Sequence, residues 1–379
     1  MFIRELIIDT FRNLTPLKIE FSQNVNILLG ANGSGKTNLL EALATLCLGR
    51  SHRMNSTDQA LIPENSDHYR LSGQIERSGN SYELAVAYQV GRGKKITLNE
   101  QPARASELFR EFSLVSLAPE DSEIISSSPG ARRKFLDLHL AQSSITHLDN
   151  LSQYHRTLQQ RNSHLKRYGL NEDGTPFDEQ LIHFGSRITL YRAQFIEFAS
   201  VTAKKYYAAI SGGANFDCQY RPSTMVSTKD VLTEIVLDAT RDIVSIEKSF
   251  TERLQSRRAA EMARLTTLVG PHRDDIEFLI RGFPARTHGS QGEWRSAAIA
   301  LKLTVFDFIR DHKNKRNSAP LLLLDEIFAE LDADRQRALV QSFSKFGQLF
   351  LTTALTPPPE LAEHATVFEV KAGELTRIQ

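Results

Sequence analysis

Cysteine is scarce in this chain of 379 residues, which contains only Cys47 and Cys218. Two cysteines cannot form a disulfide framework, and neither has the spacing of a metal ligand, so the sequence favours a reducing compartment. Apolar runs of membrane-spanning length are missing, and the N-terminal segment lacks the basic stretch and long apolar stretch of a signal peptide. We therefore expect an intracellular, cytoplasmic protein that makes no contact with a membrane.

Excess charge is missing too, because 46 Lys and Arg residues face 45 Asp and Glu residues, a formal net charge of +1 at pH 7. The chain has no excess of positive charge that would indicate binding to nucleic acid. An argument for DNA binding must therefore rest on local basic clusters. Hydrophobic residues make up 41% of the chain. That content and this length are sufficient for a substantial core and for two or three domains.

A glycine-rich stretch is the most informative feature that is present, and it reads Gly-Ala-Asn-Gly-Ser-Gly-Lys-Thr over residues 30–37. It lies between a strand-like apolar run, 25–29, and a helix-like run, 38–48, which is the context of a phosphate-binding loop. Lys36 can reach the β- and γ-phosphates in a catalytic role, and Thr37 can ligate Mg²⁺. The sequence therefore predicts an ATP site with Mg²⁺. Its predicted cofactor-binding residues here are Gly30, Ala31, Asn32, Gly33, Ser34, Gly35, Lys36, Thr37 and Asn38.

A second apolar run, 321–324, ends in two carboxylates, Asp325 and Glu326. Alone, such a pair is typical of an ordinary helix N-terminal turn. In a chain with a phosphate-binding loop it predicts a Walker B strand, in which Asp325 joins Thr37 in holding Mg²⁺. Glu326 is then the predicted catalytic residue that orients or deprotonates the attacking water.

The tetrapeptide Ser290-Gln291-Gly292-Glu293 precedes a helix-like run and offers a hydroxyl and backbone N–H groups to an anion. Its plain interpretation is a helix N-cap. Its place shortly before the Walker B strand is that of the signature motif in ABC-type ATPases. In those enzymes the signature end of one subunit meets the ATP of another. Ser290, Gln291, Gly292 and Glu293 are therefore predicted to bind nucleotide across an ATP-dependent homodimer.

Hydrophobic periodicity predicts the remaining organisation. Polar and apolar residues alternate at 2–8, 17–21 and 69–98, which indicates strands. Those within 69–98 are predicted to form an antiparallel meander. Helical periodicity occupies 148–165, 181–198 and 232–254, and strands return at 275–280, 321–324 and 348–352. The helical runs can form an antiparallel bundle or a short coiled-coil-like arm, but not a long coiled coil.

The predicted fold class is α/β: an ABC-type P-loop ATPase head with an antiparallel β arm and an inserted α-helical second domain. Residues 1–125 would form the N-terminal part of the head, residues 126–265 the helical domain, and residues 266–379 the C-terminal part of the head. The sheet of the head would thus be built from both ends of the chain.

The loop sequence, taken with further blocks, resembles the RecF family of bacterial recombinational repair proteins. These blocks are residues 49–53, 119–121, 128–137, 160–162, 270–275, 324–326 and 330–332. The resemblance runs from Phe11 to about Gly373. Ser127, Phe177 and Glu326 depart from the family pattern, where Gly, Trp and Asp respectively are common.

The resemblance implies a weak ATPase that dimerises on ATP, binds double-stranded DNA and single-strand/double-strand junctions, and works with RecR and RecO to load RecA. It also implies that some basic clusters face DNA, although each cluster can equally be a solvated helix face. The candidate clusters are 132–134, Arg161 with Lys166 and Arg167, and Arg253 with Arg257 and Arg258.

Two other functions remain open. One is the head of another SMC-like DNA repair ATPase, but such proteins need long coiled coils that this chain lacks. The other is the ATPase subunit of a transporter, which the sequence disfavours. A glutamine-bearing loop is not evident, and Thr352 and Thr353 stand where transporters carry a switch histidine.

Overall fold

A computed structural model describes residues 1–53, 56–170, 174–225, 242–313, 319–330, 333–343, 346–357 and 359–379. The chain forms two compact units, residues 1–121 with 305–379 and residues 122–304. The functional division expected from the sequence, with boundaries after residues 125 and 265, stays a prediction, because a compact unit is not by itself a functional domain.

Strands and helices are numbered here in chain order. The strands are β1 (Phe2–Thr10), β2 (Leu17–Glu20), β3 (Val25–Leu29), β4 (His68–Arg77), β5 (Asn80–Gln89), β6 (Gly93–Leu98), β7 (Gln101–Pro102), β8 (Leu114–Leu117), β9 (Phe216–Arg221), β10 (Asp275–Ile280), β11 (Phe283–Pro284), β12 (Leu321–Leu324), β13 (Leu349–Thr353), β14 (Ala365–Lys371) and β15 (Glu374–Arg377). The helices are α1 (Lys36–Leu48), α2 (Ala105–Glu111), α3 (Glu123–Ser126), α4 (Pro129–Ser143), α5 (Ile145–Tyr168), α6 (Asp178–Ser211), α7 (Ile243–Arg264), α8 (Ala285–His288), α9 (Gln291–His312), α10 (Ala333–Phe343) and α11 (Pro359–Ala362).

The first unit contains an antiparallel sheet that forms the predicted β arm. Its strand order is β2-β1-β4-β5-β6-β7, and each neighbouring pair is antiparallel. Alternate residues of β4 are buried, as expected for a strand with one face on a core. The meander predicted over residues 69–98 is therefore confirmed.

The second sheet of the first unit carries the nucleotide loop. Its order is β15-β14-β3-β13-β12-β8, parallel throughout except at β15. All four leucines of β12 are buried, because parallel strands are covered on both faces. Strand β3 lies between β13 and β14, so strands from both ends of the chain alternate as predicted. The carboxyl ends of β3, β12 and β13 consequently meet at one edge of the sheet.

The unit formed by residues 122–304 is mainly helical. Helix α6, with 34 residues, packs against α5, α7 and strand β9. Its buried residues Leu181, Ile188 and Phe195 recur every seven positions, which gives one apolar stripe. The predicted helical run at 232–254 is present from Ile243 onward, and its part at 232–241 lies outside the described residues.

Some elements were not predicted from the sequence. Strand β8 is a short buried run that sequence periodicity does not distinguish from a helix segment. Strand β9 joins β10 and β11 in a small antiparallel sheet within the otherwise helical unit. Within the described ranges, no helix combines the length and the apolar character needed to cross a membrane.

Candidate nucleotide site

The loop between β3 and α1 is held by the parallel sheet at Gly30 and ends at Gly35, the N-cap of α1. Gly30 N donates to Thr353 O at 3.2 Å, and a Cβ at Gly30 would lie 2.3 Å from Val370 O, so only glycine fits there. Gly35 caps α1 with φ 113°, a conformation that L side chains rarely adopt. The first backbone N–H groups of α1 therefore start directly behind the loop, as an anion-binding helix end requires.

Lys36 is buried inside the loop with its side chain only 3% exposed. Its Nζ donates to Gly30 O at 2.7 Å and to Ala31 O at 2.9 Å. A third contact, at 2.9 Å, is an ion pair with Glu326 Oε1. The three donors of this ammonium thus have three oxygen partners, all of them at the predicted site.

Asp325 follows β12 and accepts two threonine hydroxyls on one carboxylate oxygen. Thr37 Oγ1 donates to Asp325 Oδ1 at 3.0 Å, and Thr352 Oγ1 donates to the same oxygen at 2.6 Å. Burial raises the pKa of Asp325, and the two hydroxyls oppose that rise. The sequence predicted that Thr37 and Asp325 hold the same ion, and the structure places them in direct hydrogen-bond contact. It missed Thr352, whose signal was a polar residue near the end of an otherwise apolar strand.

The donor set around Asp325 fits Mg²⁺. In phosphate-binding loops Mg²⁺ takes one hydroxyl, one carboxylate, waters and phosphate oxygens, and needs no cage of protein ligands. Consistently, the described part of the chain holds no group of three or more His, Cys, Asp or Glu residues able to bind a metal. Thr37 and Asp325 would hold the ion, in the roles predicted for them.

Glu326 is placed by an unusual backbone conformation. Its φ is 49°, in the left-handed region that non-glycine residues seldom occupy, and its N–H donates to Thr352 Oγ1 at 2.8 Å. Thr352 therefore binds both members of the carboxylate pair. The Glu326 side chain stays 23% exposed, so it remains accessible from the cavity beside the loop.

A cavity of about 360 Å³ lies over the loop. It is lined by Asn32, Gly33, Gly35, Lys36, Thr37, Asn38, Pro119 and Glu326. Asn38 is tethered through Nδ2, which donates to Asn13 Oδ1 at 2.7 Å. Ser34 Oγ is buried without a hydrogen-bond partner in the described chain. The structure thus brings six of the nine predicted loop residues and Glu326 around one space, whereas Gly30, Ala31 and Ser34 do not line it.

The predicted signature residues belong to the other compact unit. Ser290 and Glu293 form a reciprocal cap at the start of α9: Ser290 N donates to Glu293 Oε2 at 2.9 Å, and Glu293 N donates to Ser290 Oγ at 3.3 Å. Arg281 pairs with Glu293 Oε1 at 3.0 Å. Gln291 and Gly292 form the first turn of α9. The helix-cap interpretation is therefore confirmed, and a nucleotide contact by these four residues stays a prediction.

Two of the basic clusters contain structural arginines. Arg132 is buried and makes a bidentate pair with Asp275 at 2.8 and 2.9 Å. Arg161 is 1% exposed and pairs with Asp178 at 2.7 Å and Glu261 at 2.8 Å. The interpretation of Arg132 and Arg161 as DNA-facing residues is therefore wrong, because their guanidinium groups are used inside the fold.

Comparisons with known sequences agree along the whole chain. A family model described as the RecF/RecN/SMC N terminal domain matches residues 2–374. A "DNA replication and repair protein RecF" from Geobacillus thermodenitrificans (strain NG80-2) is 35% identical over 384 residues, covering 99% of each chain. A protein of the same name from Streptococcus pneumoniae (strain CGSP14) is 34% identical over 379 residues, covering 99% of this chain and 98% of the other.

Solved structures give the same result. One described as "the recombination mediator protein RecF-ATP in RecFOR pathway" has a TM-score of 0.85 and 29% identity, covering 100% of this chain and 98% of that one. A second, with "RecF-ATPrS", has a TM-score of 0.83 and 30% identity over the same shares. An SMC head bound to the C-winged helix domain of ScpA has a TM-score of 0.54 at 15% identity, which shows the fold alone.

The predicted fold class is confirmed by these matches, because RecF proteins and SMC heads share the ABC-type ATPase head. The resemblance inferred from the loop and the further blocks is confirmed as well. The chain belongs to the RecF family of DNA replication and repair proteins.

Proposed function

We propose that this chain is a weak ATPase that binds DNA in recombinational repair and replication, and that ATP with Mg²⁺ joins two copies on single-strand/double-strand junctions. The observation that carries the proposal is the ion pair between Lys36 and Glu326 beside the Thr37–Asp325 pair. This arrangement supports the proposal, because Lys36, Thr37 and Glu326 line one cavity and Thr37 is hydrogen-bonded to Asp325. Lys36 would bind phosphate, Thr37 and Asp325 would hold Mg²⁺, and Glu326 would act as the base for water.

In this proposal the protein side chains exchange partners when nucleotide binds. Lys36 leaves Glu326 and the loop carbonyls and donates to phosphate oxygens, which carry more negative charge than one carboxylate. Thr37 and Asp325 hold Mg²⁺, which neutralises developing phosphate charge when bound. Glu326, released from its cation, accepts a proton from the attacking water.

Dimerisation follows from the second predicted phosphate site. The first turn of α9, with Ser290 at its cap, would meet the γ-phosphate held by the loop of another copy, because helix N-termini bind anions. ATP would thereby stabilise the dimer, and hydrolysis would release it. The named relatives support DNA repair as the setting, and we extend the family's partners RecR, RecO and RecA and a cytoplasmic location to this chain.

The direct test is binding to gapped duplex DNA with and without a non-hydrolysable ATP analogue, measured by fluorescence anisotropy. We expect the analogue to strengthen binding, because a dimer offers two contact surfaces to one DNA molecule. Lys36→Ala should show no such effect, whereas Lys95→Ala, an exposed lysine of β6, should behave as wild type. Equal affinity with and without nucleotide would refute the ATP-dependent mechanism.

A further inference from the structure

A second cavity, of about 490 Å³, lies wholly within the unit formed by residues 122–304. Five arginines line it, contributed by β9, α7 and the loop before β10: Arg221, Arg253, Arg257, Arg264 and Arg273. All of these except Arg253 are exposed, so their guanidinium groups are accessible from solvent. In a chain with a net charge of +1, this is a strong local concentration of positive charge.

Most of this positive charge has no carboxylate partner in the described chain. Arg257 and Arg264 make no ion pair or hydrogen bond with any described residue through their side chains, and Arg253 Nε is buried without a hydrogen-bond partner. Among the described residues, Arg221 alone of the five has an ion pair, with Glu277 Oε2 at 2.8 Å, and Arg273 donates to Thr267 O at 3.4 Å. Exposed guanidinium groups without a carboxylate partner are available to bind an anion, so this cavity is suited to an anionic ligand.

The loop that contributes Leu268 and Val269 to the cavity is held by hydrogen bonds. Leu268 N donates to Glu261 Oε1 at 2.7 Å, and Thr267 N donates to Asn162 Oδ1 at 2.8 Å. Arg161 completes this frame by pairing with Glu261 at 2.8 Å. The block 160–162, which the nucleotide site leaves unexplained, thus holds the loop that contributes Leu268 and Val269 to the cavity.

The block 270–275 supports the same cavity from the other side. Asp274 is 1% exposed and accepts hydrogen bonds from the hydroxyl of Tyr220, from Ser223 N at 2.8 Å and from Arg192 at 3.1 Å. Both Tyr220 and Ser223 line the cavity. Arg273, directly before this buried carboxylate, also lines the cavity. The site is therefore built on a fixed frame rather than on free side chains.

Part of the cavity lining is apolar, because Pro222, Leu268 and Val269 are among its lining residues. Guanidinium groups bind phosphates in a bidentate manner and also stack on nucleobases. A cavity lined by both apolar residues and arginines therefore matches a nucleotide, which has an apolar base face and charged phosphates. A duplex keeps its bases stacked inside and presents a convex phosphate surface, so it cannot place a base in a concave site.

We propose that this cavity binds one unpaired nucleotide of single-stranded DNA, with the base against Pro222, Leu268 and Val269 and the flanking phosphates on Arg253 and Arg257. The inference rests on the proposed function, and it names the part of the protein that recognises the single-stranded side of a junction. The ATP-dependent dimer is expected to form without it, because neither the nucleotide loop nor Ser290 lines this cavity.

The test compares the full-length double variant Arg253→Gln/Arg257→Gln with the control Arg156→Gln/Lys248→Gln. Each variant loses two positive charges from the same unit. Arg156 and Lys248 are exposed and lie outside the cavity, and Lys248 is about 180° around α7 from Arg257, at about 100° per residue. Binding of labelled single-stranded oligothymidylate, full duplex and gapped duplex is measured over a range of salt concentrations.

The cavity variant should bind oligothymidylate about tenfold more weakly or worse. The slope of its log affinity plotted against log salt concentration should be shallower by about 1.4, since each phosphate contact contributes about 0.7 to that slope. Its duplex affinity and its ATP-dependent dimerisation should match the control. An equal loss of affinity for duplex and for single-stranded DNA would show that the cavity arginines attract any phosphate backbone, and would overturn the proposal. So would single-strand binding that matches the control.

Two further outcomes have defined meanings. If an acidic peptide binds wild type but not the cavity variant, and single-stranded DNA binds both equally, the site takes peptide and the proposal is wrong.

If the variant unfolds at a lower temperature than the control, photocrosslinking of a 5-iodouracil oligonucleotide to wild type decides instead. Crosslinks to residues 220–225 or 264–273 would support the proposal, and crosslinks elsewhere would overturn it. If ATP does not strengthen the binding of wild type to duplex DNA, the proposed function is refuted, whatever the result at this cavity.

Discussion

Lys36 Nζ lies 2.9 Å from Glu326 Oε1, so the cation predicted for phosphate binding is paired with the carboxylate predicted to activate water. The same ammonium also donates to the carbonyls of Gly30 and Ala31. In this arrangement neither residue is free for its proposed role. Nucleotide must therefore compete for Lys36, and its arrival would release Glu326 at the place where hydrolysis needs a base.

Lys36→Ala should weaken ATP binding by about 10- to 100-fold, because a charge-assisted hydrogen bond contributes about 1.5–3 kcal/mol. The loss also leaves Glu326 without its cation, next to the phosphates. Isothermal titration calorimetry with ATP and Mg²⁺ measures the effect, with Lys95→Ala as the exposed-lysine control. Unchanged affinity in the Lys36 variant would show that the cavity over the loop is not the ATP site.

Glu326→Gln should bind ATP at least as tightly as wild type and hydrolyse it about 10²- to 10⁴-fold more slowly, the usual contribution of general acid–base catalysis. The amide keeps the size of the side chain, cannot accept the proton and no longer holds Lys36 by charge. Phosphate release under single-turnover conditions is the measurement. Hydrolysis at the wild-type rate would mean that Glu326 is not the base.

Ser290 can be tested with an isosteric pair of substitutions, because Asp and Asn both cap helices well. Ser290→Asp should preserve α9 but block ATP-dependent dimerisation, since it places a negative charge where the partner's γ-phosphate is expected. Ser290→Asn should preserve both. Analytical ultracentrifugation with an ATP analogue compares the two, and equal dimerisation would argue against a phosphate at this helix end.

Mixing Ser290→Asp with Lys36→Ala examines the geometry of the sites. If each site combines one loop with the signature of another copy, one of the two sites in a mixed dimer retains both intact halves. Partial ATPase activity should then return on mixing two inactive proteins. No recovery would indicate sites complete within one chain.

The burial of His147 leads us to expect that the protein loses stability in mild acid. It is 2% exposed, and burial, assisted by Arg192, lowers its pKa from 6.5 to about 3. Below about pH 6.5 the unfolded chain therefore binds a proton at His147, whereas the folded protein does not bind it until a much lower pH. The free energy of unfolding consequently falls as the pH drops. At pH 4.5 the cost is about 3 kcal/mol, at about 1.4 kcal/mol for each pKa unit.

His147→Phe should remove that cost while keeping a ring against Tyr191. Urea unfolding at pH 7 and at pH 4.5 measures the change, and the Phe variant should lose less stability between these pH values than wild type. His155→Phe is the control, because His155 is exposed on the same helix. Identical pH dependence in wild type and His147→Phe would contradict the buried neutral state of His147.

The sequence was sufficient for the features that local pattern determines. Glycine spacing and flanking apolar runs placed the loop, and the strand 25–29 was predicted with its observed bounds. Helix α1 begins two residues earlier than predicted, at Lys36, because Gly35 provides the turn into it. Period and turn residues were likewise sufficient for the antiparallel meander.

Features made by distant residues could not be read from the sequence. Thr352 binds both Asp325 and Glu326 only because β13 lies beside β12 in the sheet. Arg161 is a helix-surface residue by sequence, yet it is buried between Asp178 and Glu261. Such pairings depend on the packing of helices far apart in the chain, which single-sequence periodicity does not encode.

The measurement that tests the account most directly is the mass of the wild-type protein in solution with Mg²⁺, with and without a non-hydrolysable ATP analogue. Sedimentation velocity should show a monomer without nucleotide and a dimer with it, and Lys36→Ala should remain a monomer in both conditions. A wild-type protein that binds the analogue but keeps one mass would contradict the proposed ATP-dependent dimer, whatever its affinity for DNA.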